Sequence, residues 1–239
     1  MNDFENKLDR WLDEVAIKCD KLASNKEFDL DFYVFQSTVT YNPKLMFIGA
    51  NPGGAMSYSK KNGDKKRTKS DLGEGENTFI KYYNERGWER LKPLYDMFKD
   101  NGQLEEYFRN AVITNLSYFN SGTFSNLKSK MKVVGDEPLT FCLNKNIELI
   151  EKIVRPQNII LLGATARNNF AKYMDKGQYE TILETKEKRV ALIRKASMTY
   201  FDDKKNDVKI PVYIIEHPSA WNGLNSKENI TLKSPEHDL

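Results

Sequence analysis

Cysteine and histidine are scarce in this chain of 239 residues, which has two of each. Cys19 and Cys142 fall short of a four-ligand zinc or iron–sulfur site and supply no disulfide framework, so a reducing cytoplasm is the expected location. Long apolar runs are missing as well. The longest, such as 45–48 and 159–162, are far short of a membrane span, and residues 1–24 hold no apolar core of signal-peptide length. Neither secretion nor a membrane partner is expected. One-sided charge is also lacking: 37 Lys and Arg against 34 Asp and Glu leave a net +3, so charge alone does not announce a nucleic-acid binder.

What is present is an ordinary globular balance, 39% hydrophobic and 30% charged, with material for one sizeable core. No repeat or low-complexity linker interrupts it, so a single domain over 1–239 is expected, with a flexible tail over 226–239. Within 1–24, Phe4, Leu8, Trp11, Leu12, Val15, Cys19 and Leu22 recur at spacings of three and four, one apolar face of a helix that caps the fold. Four short apolar runs, at 44–49, 111–116, 158–163 and 211–216, read as strands buried on both faces. Helical patterns at 78–100, 137–154 and 164–174 lie between them. The expectation is an α/β fold, a three-layer α/β/α sandwich around a mostly parallel four-stranded sheet. Residues 181–199 alternate more loosely and suggest an extra hairpin.

Ligands of open α/β sheets gather at the carboxyl ends of the strands. The first strand is followed by Gly49-Ala50-Asn51-Pro52-Gly53-Gly54, which is neither a P-loop nor a dinucleotide turn. The second ends in Thr114-Asn115-Leu116, where a carboxamide offers both donor and acceptor to a base edge. The third ends in Gly163-Ala164-Thr165-Ala166, and the fourth in Glu216-His217-Pro218-Ser219. His237, the other histidine, is the third residue from the end. Each motif alone has a plain structural explanation: a tight turn, a strand-end cap, a buried histidine.

In this order the motifs resemble the uracil-DNA glycosylase superfamily across about residues 41–225. The first looks most like the mismatch-specific and single-strand-selective branches, which carry Asn followed by Pro-Gly. The resemblance implies that Asn51 orients the attacking water, His217 donates to O2 of the departing base, and Asn115 hydrogen-bonds the base edge. Gly49, Ala50, Pro52 and Gly53 would then border the base, and an aromatic residue would stack on it, with Phe79, Tyr82 and Tyr83 competing for that role. No cofactor and no metal is expected. Where the classical branch has a Tyr that blocks the thymine methyl, this chain has Gly53, so the pocket is open to 5-substituted pyrimidines. Ser219 would lie against DNA, and Trp221 or Leu224 would fill the gap left by a flipped nucleotide.

A polar insertion over 55–78 carries Lys60, Lys61, Lys65, Lys66, Arg67 and Lys69 against Asp64. It reads either as a solvated loop or, beside the proposed pocket, as a phosphate contact made by Lys65, Lys66 and Arg67. Lys128, Lys130 and Lys132 form a smaller cluster. The functional expectation is a monofunctional DNA glycosylase that releases uracil or a modified pyrimidine, in base excision repair or in defence against phage with modified bases. The alternative is a catalytically inactive module of the same fold that binds DNA, a nucleotide or a protein. Nothing in the sequence demands more than a monomer.

Overall fold

The buried apolar runs assemble side by side in the computed structural model, which describes residues 3–54, 56–73, 75–86, 92–135, 137–176, 179–185, 191–216 and 230–232. Seven strands form one mixed sheet: β1 (Met46–Gly49), β2 (Val112–Asn115), β3 (Ile159–Leu162), β4 (Glu180–Thr185), β5 (Ala191–Phe201), β6 (Asp207–Ile215) and β7 (Ile230–Leu232). Their order is β2-β1-β3-β6-β5-β4-β7. The first four in that order are parallel, with Met46 opposite Val112 and Ile159, and Ile159 opposite Val212. The remaining pairings are antiparallel.

The four-stranded sheet expected from the sequence is therefore the parallel part of a larger sheet. The looser segment at 181–199 supplies the β4–β5 hairpin, and β5 runs on to pair with β6 along nine residues. Part of the expected tail, Ile230–Leu232, pairs with β4. β4, β5 and β7 lack the continuous apolar run that marks the parallel strands. The fourth expected strand, β6, extends upstream of its apolar run at 211–216 through exposed and half-buried positions before its buried end.

Alternation along the parallel strands sends neighbouring side chains to opposite faces. Met46, Ile48, Val112, Ile159, Leu161, Val212 and Ile214 join one apolar cluster. Phe47, Ile113, Ile160, Leu162 and Ile215 join another. The first cluster includes residues of α1 (Asp3–Ala23), α6 (Phe124–Met131), α7 (Glu137–Glu148) and α8 (Gly163–Phe170). The second includes residues of α3 (Thr78–Arg86), α4 (Lys92–Phe98) and α5 (Gly102–Arg109). Burial on both faces explains why these strands read as unbroken apolar runs. The apolar face of α1 is as its spacing suggests, with Trp11, Val15, Cys19 and Leu22 buried. Among the described residues no helix is long and apolar enough to cross a membrane.

β2 lies at the end of the sheet, and its outer backbone is not left bare. Gln36 N–H donates to Ile113 O at 2.9 Å, Ile113 N–H to Ser37 Oγ at 2.8 Å, and Thr114 Oγ1 to Val34 O at 2.8 Å. Segment 32–37 thus covers the edge, a common way to blunt it. The same bonds bring Gln36 to the carboxyl end of the sheet, where it borders two cavities.

Candidate active site at the strand ends

A cavity of about 390 Å³ opens where β1, β2 and β3 end. That is within the range of small-ligand sites. Gly49, Ala50, Asn51, Gly53 and Asn115 line it, as do Phe79 and the Gly163-Ala164-Thr165 turn. Gly163 has φ +84°, a conformation that favours glycine, and it lets α8 start directly from β3. The loop after β1 is held against the chain after β2. Leu116 N–H donates to Gly49 O at 2.8 Å, Ser117 N–H to Ala50 O at 3.1 Å and Ser121 N–H to Pro52 O at 3.2 Å.

Asn51 is fixed by this arrangement. Its Nδ2 donates to Pro52 O at 2.8 Å and to Ser121 O at 2.7 Å. Both amide hydrogens are thereby used, and Oδ1 is left as an acceptor with a defined orientation. An acceptor of this kind can hold a water by its O–H, but it is no useful Brønsted base.

Asn115 is 4% exposed, and its Nδ2 is buried without a hydrogen-bond partner. Its backbone is anchored, with Asn146 Nδ2 donating to Asn115 O at 2.9 Å. A buried amide donor without a partner is costly, and Asn115 is a lining residue of the cavity, so its carboxamide suits a ligand acceptor. Gly49 makes room for it. A Cβ at position 49 would lie 2.5 Å from Asn115 Oδ1. Gly49→Ala is therefore expected to displace the carboxamide and, in the reaction the sequence motifs imply, to lower kcat/KM by about 10²-fold, the scale of a 1 Å misplacement. Its melting temperature should change little, because the obstructed atom is the end of a movable side chain. Wild-type turnover in this variant would remove Asn115 from the reaction.

Of the three aromatic candidates, Phe79 lines this cavity. It is presented at the start of α3, where Asn77 Oδ1 accepts from the Phe79 N–H at 3.0 Å. Its ring meets Phe47 edge-on, with centroids 6.0 Å apart. Tyr83 instead packs against Tyr95 at 4.6 Å and its hydroxyl reaches Asp96. Tyr82 lines a second cavity of about 320 Å³, with Tyr33, Phe35, Met56, Thr78, Asn120 and Pro52. The two cavities share Gln36 and Gly53.

The basic insertion is largely built into the protein. It contains α2 (Tyr58–Asn62) and a 3-10 turn, Lys69–Asp71. Arg67, expected on DNA, is buried: its Nη1 lies 2.7 Å from Asp31 Oδ1, it also donates to the carbonyls of Phe32 and Asp71, and it sits over the Phe32 and Tyr33 rings. The expected phosphate contact is thus corrected for this residue. Lys61 pairs with Asp31 at 2.8 Å and Lys69 with Asp9 and Asp13 of α1. Burial opposes the charge on Lys61, yet hydrogen bonds to Asp31 and Tyr33 raise its pKa above the usual lysine value. Tyr58 is pushed up to about 12 by burial and by the Asp20 carboxylate to which its hydroxyl donates. Lys60, Lys65 and Lys66 are exposed and make no ion pair among the described residues.

His217, Ser219, Trp221 and Leu224 lie outside the described residues. The strand that leads toward them, β6, ends with Ile215 in register with Leu162, itself a lining residue of the first cavity. Among the described residues no three His, Cys, Asp or Glu side chains gather as a metal site requires. Gln36, Thr78, Asn120 and Ser121 were not singled out in the sequence, and no local pattern marks them. No family model and no characterised protein matches the sequence.

Proposed function

We propose that this protein is a monofunctional DNA glycosylase that flips out uracil or a modified pyrimidine and hydrolyses its N-glycosidic bond. The observation that carries the reading is the joint placement of Asn51 and Asn115. An oriented amide acceptor and an unpartnered amide donor line one cavity beside a buried aromatic ring. The parallel strands with apolar clusters on both faces also fit the glycosylase-like three-layer arrangement that the motifs imply.

In the proposed reaction the C1′–N1 bond breaks, and its electron pair leaves with the base. Water adds through oxygen to C1′, and its surplus proton passes to solvent or to the released base. Positive character on the sugar and negative charge on the base develop together, so a donor aimed at the base stabilises the transition state more than the ground state. Asn115 would hold the base edge, Phe79 its face, and Asn51 the water, while His217 would donate to the base oxygen. A largely dissociative path tolerates the weak basicity of Asn51. Among the described residues lining either cavity there is no lysine to form a Schiff base, which favours hydrolysis without strand cleavage.

The test is incubation with labelled DNA carrying uracil, and with phage DNA carrying modified bases, followed by hot alkali. Alkali-labile abasic sites are expected with wild type, and His217→Ala should lower their rate of formation by about 10²- to 10³-fold while the variant stays folded. DNA binding with no abasic site on any substrate would favour the inactive binding module instead.

A further inference from the structure

We propose that Asn146, which lines neither cavity, is a positioning residue that sets the Asn115 carboxamide for recognition of the extruded base. The inference rests on the glycosylase reading and goes beyond it by giving a role to a buried side chain of α7.

The packing of α7 gives no reason for an amide at this position. Cys142 and Leu143 precede it by four and three residues, Leu149 and Ile150 follow by three and four, and all are buried. That spacing is the core stripe of a helix, where an apolar residue is the rule. Asn146 interrupts the stripe at 0% exposure, and its Oδ1 is buried without a hydrogen-bond partner. A buried acceptor left unpaired costs stability and calls for an explanation.

Its Nδ2 supplies one. It donates to Asn115 O at 2.9 Å and reaches Leu116 O at 3.4 Å. The peptide unit between Asn115 and Leu116 is planar, and its other edge is taken as well, because Leu116 N–H donates to Gly49 O at 2.8 Å. Held at both edges, this plane fixes the direction in which the Asn115 Cα carries its side chain. The covering segment 32–37 bonds to Ile113 and Thr114, so the support at Asn115 O comes from α7. The anchor is itself fixed. Trp11 Nε1 of α1 donates to Lys145 O at 3.2 Å, and Lys145 pairs with Glu148 at 2.8 Å and with Glu14 of α1. A recognition group supported in this way keeps its geometry before any ligand arrives.

The experiment is a double-mutant cycle in single-turnover base release, on the labelled uracil-bearing or modified phage DNA that wild type cleaves. Asn146→Leu fills the stripe but lacks the donor, and it should lower the rate by about 10²-fold. Affinity for the same DNA should change by less than about threefold, since phosphate contacts dominate it. In an Asn115→Ala background, Asn146→Leu should lower the rate by less than about twofold, because the group it positions is gone. Asn146→Ser keeps a hydroxyl donor of shorter reach and serves the same cycle if the leucine variant does not fold, with an expected loss of about tenfold. A wild-type rate, equal losses of rate and affinity, or losses that multiply in the double variant would overturn the proposal and leave the glycosylase reading standing. Failure of both variants to fold would make Asn146 a structural residue and overturn it too. Release of no base by wild type from any of these DNAs would overturn both.

Discussion

Asn51→Ala is expected to lower single-turnover base release by about 10³-fold while the protein remains folded. The side chain does two things at once. Its Nδ2 ties the loop after β1 to Pro52 O and Ser121 O, which leaves Oδ1 as the free acceptor of a residue that lines the cavity. Alanine removes the acceptor proposed for the water and two hydrogen bonds, so a loss of about 1–3 kcal/mol in stability should accompany the catalytic defect. Asn51→Asp separates these roles. It introduces the acid that the classical glycosylase branch carries, yet it sets a carboxylate oxygen against two carbonyl oxygens where an NH₂ group stood. Repulsion raises the pKa of the new acid in the folded state above its unfolded value. The folded protein then binds the proton more tightly, and stability falls as pH rises from the unfolded pKa through the folded one. Denaturant melts at pH 4 and pH 7 should show this variant losing stability relative to wild type at the higher pH. A gain of activity with unchanged stability at pH 7 would show that the two carbonyls do not constrain position 51.

Arg67→Met should be the most damaging change to stability among the insertion residues, by about 3 kcal/mol in denaturant unfolding. Asp31 is fully buried, and Arg67 supplies one of its two cations. Lys61 remains in the variant, which places the expected cost at the lower end for a broken buried pair. The carbonyls of Phe32 and Asp71 also lose their donor. Lys65→Ala and Lys66→Ala should behave in the opposite way. Their side chains are exposed, so stability should stay within about 0.5 kcal/mol. If they meet phosphates, each should weaken DNA binding and flatten its dependence on salt by about one unit of log–log slope. An unchanged slope in the double variant would leave the insertion with a structural role alone.

This contrast shows what the sequence made legible and what it did not. Residues 60–69 read as one basic run, because charge along a chain is visible whereas the partners are not. Asp31, Asp9 and Asp13, which occupy Lys61, Arg67 and Lys69, all lie far upstream. The parallel strands were legible because burial on both faces leaves an apolar run, and their ends led to Gly49, Asn51 and Asn115. Helices α5 and α6 were not expected. They are eight residues each, with only Phe108 buried in α5 and Leu127 and Met131 in α6, too few to set up a clear period. Gln36, Thr78 and Asn120 reach the cavities through long-range backbone hydrogen bonds to Ile113, Gln36 and Asp31. A bond of that kind leaves no trace in local residue pattern. Phe79 stood among three aromatics in one helical stretch, and only packing separates it from Tyr83.

The first helix has a bearing on a cavity that it does not line. Through Asp9, Asp13 and Asp20 it grips the segment that carries Arg67 and Lys69. That segment leads to Leu72, whose carbonyl receives the N–H groups of Val34 and Phe35, and Phe35 lines the second cavity. The shape of that cavity is thus inherited partly from the opening twenty residues, which would contact neither water nor base in the proposed reaction. Substitutions in this helix would reshape the cavity at a distance while the strand-end site stayed the same.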